Sequence, residues 1–409
     1  MHQIEATKNK TAWVLFALAV GGFAIGTTEF ATMSVLPLFA RGLGISAPVA
    51  GHVISAYALG VVVGAPALAV LGARLDRRDL LIALMALFAV GNTLSALAPS
   101  YHWMLLFRFI SGLPHGAYFG VAALVATSLV PENRRTVAVG RMFLGLTVAT
   151  IVGVPFANWL GHVIGWRWSF GFAALMGAVT MTCVRLWAPS TPAAANASPL
   201  RELSALKRTQ VWYTLGIGAI GFGGLFAVYT YLANVLASVT HASVGVASLV
   251  LGVFGIGMTI GNIVVPMFAD RALMRTAGVL LVWSALTLLA FPLAASNVWT
   301  LTLDVFLIGI GGALGTVLQT RLMDVAEDAQ SLAAALNHSA FNTANALGPF
   351  LGGLAIAGGF GWTSPGWVGA LLAIAGLGVW AMAGFAQRNA DRKAAARLER
   401  RACLETQGR

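Results

Sequence analysis

Charge is scarce in these 409 residues: Asp, Glu, Lys and Arg together make up 10%, against roughly 25% in a soluble domain. Cysteine is scarcer still. Cys183 and Cys403 have neither a metal-ligand spacing nor a disulfide framework, so no metal site is expected. There is no Gly-x-x-x-x-Gly-Lys-Ser/Thr phosphate loop, which argues against ATP-driven work by this chain. There is no His-Glu-x-x-His, Cys-x-x-Cys or nucleophile elbow, so no catalytic residue and no cofactor is assigned. Acids are few as well, 14 against 25 basic residues, and the formal net charge of +11 would suit a polyanion. The basic residues, however, sit in short loops and the C-terminal tail. That distribution points to membrane topology, and no nucleic-acid partner is expected.

Apolar residues dominate. A hydrophobic share of 58% with 47 glycines fits close-packed membrane helices better than a soluble core. Apolar runs lie at 13–36, 49–71, 79–98, 102–126, 136–161 and 166–187. Six more follow at 211–236, 243–268, 274–294, 298–320, 331–358 and 365–386. Each is about long enough to cross ~30 Å of hydrocarbon at 1.5 Å per residue. The first is too long for a signal-peptide core and ends in no small-residue cleavage site, so it too is read as a span. The expected fold is all-α and integral to the membrane, twelve helices in a lipid bilayer. With the N-terminus inside, every basic residue but Arg41, Arg108 and Arg167 falls on the cytoplasmic side. Both termini are therefore expected in the cytoplasm.

The polar stretch 188–210 divides six spans from six and reads as a flexible linker. The expected units are a half at 1–187, the linker at 188–210, a second half at 211–386 and a basic tail at 387–409. That tail reads as a helix on anionic lipid or as a solvated positive-inside segment. The halves echo each other. Asp76-Arg77 recurs as Asp270-Arg271, and Gly153-Val-Pro155 is matched by Leu347-Gly348-Pro349. Trp103 precedes Arg108 by the spacing at which Trp299 precedes Asp304. Two related halves around a midplane site are the architecture of a secondary transporter, with a small molecule as its substrate.

Three ionisable residues stand inside the spans: Glu29, Arg108 and Asp304. An arginine in mid-helix costs roughly 2.5–3.5 kcal/mol on insertion scales, so it needs a partner or a water-filled cavity. The alternative is an arginine snorkelling to the interface. Arg108, Gly112 and His115 share one helical face. Counting along the spans puts Glu29 roughly 12 Å and Arg108 roughly 9 Å below the outer membrane surface. The match between halves puts Asp304 at a similar depth, where pairing is possible. A carboxyl whose surroundings alternate as a cavity opens can bind and release a proton. Glu29, Arg108 and Asp304 are therefore the candidates for coupling to protons. A purely structural Glu29–Arg108 pair is the alternative for the first two, and an outer water-filled vestibule for Asp304.

Polar residues within the spans are the candidate substrate contacts. Asn337, His338, Asn342 and Asn345 form a stripe on the eleventh span. Buried amides offer both donors and acceptors to a ligand, or bond across helices as packing. His115, Tyr57, Tyr118 and Tyr229 are further candidate walls. His115 either relays a proton or is simply hydrogen-bonded between helices.

The loop Gly72-Ala-Arg-Leu-Asp76-Arg77-Arg78-Asp79 resembles the loop 2–3 signature of the major facilitator superfamily, Gly-x-x-x-Asp-Arg-x-Gly-Arg-Lys/Arg. It departs from the signature at Asp79 and Leu80. Arg108-x-x-x-Gly112 resembles the fourth-span motif of proton-coupled members. Gly145 to Pro155 resembles a degraded fifth-span antiporter motif. Gly26-Thr-Thr-Glu-Phe30 and Leu113-Pro-His-Gly-Ala-Tyr-Phe-Gly120 are similar to the twelve-span drug/proton antiporter branch. Gln319-Thr-Arg-Leu-Met-Asp324 and Leu336-Asn-His-Ser-Ala-Phe-Asn342 look like the arabinose- and sugar-efflux permeases. The resemblance implies proton-coupled efflux of a small organic solute (sugar, nucleoside or drug-like) through the inner membrane, by alternating access in a monomer. It places gates at Gly72, Asp76, Arg77, Gly153 and Pro155. Asp76 is expected to accept from the N-terminus of a facing helix, near Ser331. Uptake by symport is the alternative, and an intramembrane enzyme or receptor a remote one.

Overall fold

The computed structural model describes residues 2–45, 47–190, 199–327 and 329–407. Among them, ten helices are long and apolar enough to cross a membrane. The first half holds α1 (His2–Ser34), α2 (Ala47–Leu71), α3 (Arg77–Ala96), α4 (Tyr101–Ser128), α5 (Glu132–Val163) and α6 (Arg167–Trp187). The second opens with α7 (Thr209–Ser238). The helix Val244–Ala294 leaves helical geometry at Ala272, with φ −154° and ψ 68°, and so is two spans, α8 before the kink and α9 after it. Then come α10 (Val298–Val325), α11 (Gln330–Ala355) and α12 (Ser364–Gln407). α11 falls outside the ten because its Asn and His residues dilute its apolar character. With α8 and α9 separated and α11 added, the twelve expected spans are all present.

Close backbone contacts hold each half together. α2 crosses α4 where a Cβ on Gly60 would lie 2.2 Å from Phe109 O, and one on Gly112 2.3 Å from Tyr57 O. α8 crosses α10 in the same way, with Gly257 against Phe306 O at 2.2 Å and Gly309 against Phe254 O at 2.5 Å. In lipid, where burial gains little, such small-residue contacts supply the packing. They also fix the register between halves. The shift that carries Gly60 onto Gly257 and Gly112 onto Gly309 carries Arg108 onto Val305, not onto Asp304. The tryptophan spacing that paired Arg108 with Asp304 is thus off by one residue, about 100° around a helix.

Each half has its own apolar core, with Phe88, Phe119 and Met142 in the first and Phe254, Leu281 and Phe291 in the second. Twelve crossings bring both ends of the chain and the segment between the halves to one side, here the terminal face. There Ala65 and Ala69 of α2 pack with Ala205, with Leu322 of α10 and with Leu332 of α11. The segment between the halves is partly ordered where it was expected to be flexible. It carries the helix Pro199–Glu202 and the 3-10 turn Leu203–Lys207, while 191–198 lie outside the described residues. α12 runs unbroken to Gln407, so the boundary at 387 is a change in composition within one helix. Residues 408 and 409 of the tail lie outside the described residues.

Candidate functional site

The two halves part toward the face opposite the termini. Between them is a vestibule of about 1330 Å³, walled by Phe30 and Met33 of α1, Thr150, Val154, Pro155 and Asn158 of α5, Tyr229 of α7 and Asn345 of α11. At its base lies an inner pocket of about 70 Å³. Phe30, Phe226, Tyr229, Asn342 and Asn345 line both spaces. The inner pocket has aromatic walls that include Phe143, Phe222, Phe254 and Phe341. Its polar groups are Glu29, His115, Tyr229, Asn262, Thr316, His338, Asn342 and Asn345. Glu29 is the sole carboxylate among the residues lining either space.

Arg108 is one of the most deeply buried side chains, at 1% exposure, so it does not snorkel. Its guanidinium carbon lies 4.3 Å from the centre of the Tyr57 ring and 5.4 Å from that of Phe170. Nη1 donates to Thr28 Oγ1 at 3.1 Å and to Ser111 Oγ at 3.4 Å. Thr28 Oγ1 in turn donates to Asn92 Oδ1 at 2.6 Å. No carboxylate forms an ion pair with Arg108 among the described residues. In place of the alternative Glu29–Arg108 pair, an aromatic and hydroxyl cradle holds the guanidinium. Thr28, Ser111 and Asn92 were not picked out in the sequence. Their signal was a polar residue one position before Glu29 on α1, with matching ones on α3 and α4.

The other candidates divide. Tyr229, His115, His338, Asn342 and Asn345 line the inner pocket, and Pro155 lines the vestibule. Tyr57 is buried behind the pocket, with its hydroxyl 3.0 Å from His115 Nδ1. Tyr118 is not a cavity wall. It is fully buried in the first half's core, where its hydroxyl donates to Leu18 O at 3.0 Å. Asn337 is buried and outside the pocket lining, its amide donating to Gly315 O on α10 at 3.3 Å. Asp304 is buried outside both spaces, and its Oδ2 has no hydrogen-bond partner among the described residues. Gly153 closes the π-helical turn Ala149–Gly153 in α5, packed so tightly on α1 that a Cβ there would strike Thr27 Oγ1.

The terminal face is shut. Asp270, at the α8–α9 kink, accepts from the backbone amides of Thr136 and Val137 in the first turn of α5, at 2.7 and 3.2 Å. A carboxylate there satisfies orphan N–H groups and meets the positive end of the helix. Arg135 of α5 pairs with Asp324 of α10 at 3.0 Å. At Gly72 a Cβ would lie 2.6 Å from Leu80, which keeps the turn between α2 and α3 tight.

Asp76 does not make the contact expected of it. It caps its own helix, accepting from Arg78 N at 2.8 Å, and takes a second bond from Ser190 Oγ at 2.5 Å. Partial burial pushes its carboxyl up, but those bonds and the Arg78 charge outweigh it, and the pKa falls below the usual value. The N-terminus of α11 is met instead by Glu202 of the inter-half segment, which accepts from Leu332 N at 2.9 Å. Burial raises the pKa of Glu202 despite opposing bonds from Leu332 and Ser331 and the nearby Arg77 charge.

Asp270→Asn removes the charge from two inter-half bonds of a kind worth about 1.5–3 kcal/mol, so the closed-to-open ratio should fall about tenfold or more. Thiol labelling at a cysteine placed at Leu332, in a background lacking Cys183 and Cys403, reads that change. Unaltered labelling would make Asp270 an ordinary helix cap.

Comparison with known proteins agrees with the twelve-helix fold. The family model described as Major Facilitator Superfamily matches residues 18–273 and 226–405. The chain is 42% identical over 365 residues to the "Inner membrane transport protein YdhP" of Escherichia coli K12, covering 89% of this chain and 94% of that one. It is 33% identical over 367 residues to a "Chloramphenicol resistance protein" of Streptomyces lividans, covering 88% and 93%. The crystal structure of the E. coli fucose:proton symporter FucP superposes with a TM-score of 0.72 at 14% identity, over 91% of this chain and 98% of that one. At that identity the likeness speaks for the fold alone.

Proposed function

The chain belongs to the major facilitator superfamily, and we propose that it exports a small organic solute in exchange for protons. Membership makes it a multi-pass membrane transporter of small molecules rather than an enzyme. The finer reading rests on Glu29. It is the sole carboxylate lining the inner pocket, at the base of an open vestibule, while the other face is shut. A proton entering from the vestibule and a solute loaded from the opposite face meet at this carboxyl, so binding of one can displace the other. The excess of Lys and Arg on the terminal face makes that face cytoplasmic, so the state described is open to the outside. In this reading the protein works as a monomer in the inner membrane. The relative named for inner-membrane transport supports the location, and resistance to a drug, for which another relative is named, is the outcome that outward transport of a drug would give.

The aromatic walls and amides of the inner pocket suit a solute with an apolar body and a few hydrogen-bonding groups. Uptake by symport is the rival, since the same fold serves a fucose:proton symporter. Direction is tested in proteoliposomes with a panel of sugars, nucleosides and cationic drugs. Exchange for protons predicts that an acidic lumen drives solute accumulation and an alkaline lumen does not. Accumulation only with an alkaline lumen would establish symport instead.

A further inference from the structure

Tyr57 on α2, His115 on α4 and His338 on α11 form a line that crosses from one half of the protein to the other. Tyr57 Oη lies 3.0 Å from His115 Nδ1, and His115 Nε2 lies 3.3 Å from His338 Nδ1. Both histidines are buried, at 2% and 3% exposure. The His338 ring is stacked on Phe119 at 4.4 Å, with Phe143 at 5.7 Å and Phe341 edge-on at 5.8 Å. It cannot turn without losing those contacts. Its remaining nitrogen, Nε2, is buried with no hydrogen-bond partner among the described residues, although the residue lines the inner pocket. A buried imidazole nitrogen beside a cavity, with no protein partner, is a group held for a ligand or a proton.

The geometry points to His338 as a proton-carrying residue of the transport cycle, with His115 as its positioning residue. This rests on the proton-coupled reading above. A neutral imidazole has one N–H and one bare nitrogen. With Nδ1–H donating to His115 Nε2, and His115 Nδ1–H to Tyr57 Oη, His338 Nε2 is the bare nitrogen of a ring that lines the pocket. One proton entering from the vestibule binds there, and every hydrogen bond in the line survives. Glu29, lining the same pocket, supplies the counter-charge. The other titratable or charged groups nearby are Tyr229 of α7 on the pocket wall and Arg108 of α4, which lies behind the Tyr57 ring.

The inner pocket opens to the terminal face only when α4 and α11 separate. These helices touch where a Cβ on Gly120 would lie 2.8 Å from Ala335 N. Their separation breaks the His115–His338 bond. Nδ1–H of the cationic ring then faces water on the cytoplasmic side and gives up its proton there. One proton is taken up at Nε2 and one is lost from Nδ1, and the ring is neutral before and after. Water at the opened site restores the starting tautomer.

His338→Gln keeps hydrogen-bonding capacity but cannot carry a proton. The test measures solute counterflow without a gradient, and accumulation driven by a pH gradient, in the same proteoliposomes. Gradient-driven accumulation should fall to background while counterflow remains measurable, at whatever rate the altered pocket wall allows. Gradient-driven accumulation equal to wild type in His338→Gln would overturn the proposal. His115→Gln provides a second reading, also if the first variant does not fold. It should retain transport with a displaced pH profile, because the Nδ1 partner has changed; an unmoved profile would count against the proposal. A wild-type protein indifferent to pH gradients of either sign would instead defeat proton coupling itself.

Discussion

Glu29→Gln should abolish transport driven by a pH gradient while sparing much of the gradient-independent exchange. Glutamine matches the acid in shape and keeps hydrogen-bonding atoms in the pocket, so solute binding loses at most a contact. It cannot bind or release a proton between pH 5 and 9. Because Glu29 is the sole carboxylate in the lining of both spaces, no neighbouring acid can take over its charge. The measurement is accumulation under an imposed gradient against counterflow at equal pH, in one preparation. Loss of both would make Glu29 a solute anchor, and unchanged accumulation would remove it from coupling. Asp304 makes a useful contrast. It is buried outside both spaces, so Asp304→Asn should leave the pocket's chemistry untouched.

The sequence made the scaffold legible because membrane spans are long and their signal is additive. Twelve apolar runs became twelve helices, and even α11, diluted by its asparagines, kept enough apolar length to be recognised. Inter-half contacts were harder to read. Asp76 and Asp270 are alike in sequence, yet only Asp270 reaches a facing helix. Glu202 occupies the α11 terminus, and its place depends on how the segment between the halves folds back. No periodicity encodes that. Side-chain direction was the other gap. Tyr118 and His115 are three residues apart on α4, but one fills the core and the other reaches the pocket. A register error of one residue likewise turned Asp304 toward Arg108 on paper. The glycine contacts, which carry the true register, could be recognised only once the helices were seen to cross.

Arg108→Ala should cost both stability and transport. The guanidinium is buried at 1% exposure, lies on the Tyr57 ring and donates to Thr28 and Ser111. A desolvated cation–π contact is worth about 2 kcal/mol, and a hydrogen bond to a charged group about 1.5–3 kcal/mol. Truncation also leaves a cavity between α1, α2 and α4, so a loss of about 3–5 kcal/mol is expected. Lysine should rescue poorly, because one ammonium cannot lie flat on the ring and reach both hydroxyls as the planar fork does. Tyr57→Phe separates the two roles of that tyrosine. It keeps the ring under Arg108 and should be far milder in melting temperature, yet it removes the hydroxyl from His115. Thermal unfolding and transport of Arg108→Ala, Arg108→Lys and Tyr57→Phe, compared across pH 5.5 to 8.5 as a proposed window, test the arrangement. If Arg108→Lys melts and transports like wild type, a simple positive charge suffices at this position. The aromatic and hydroxyl cradle would then be incidental to function.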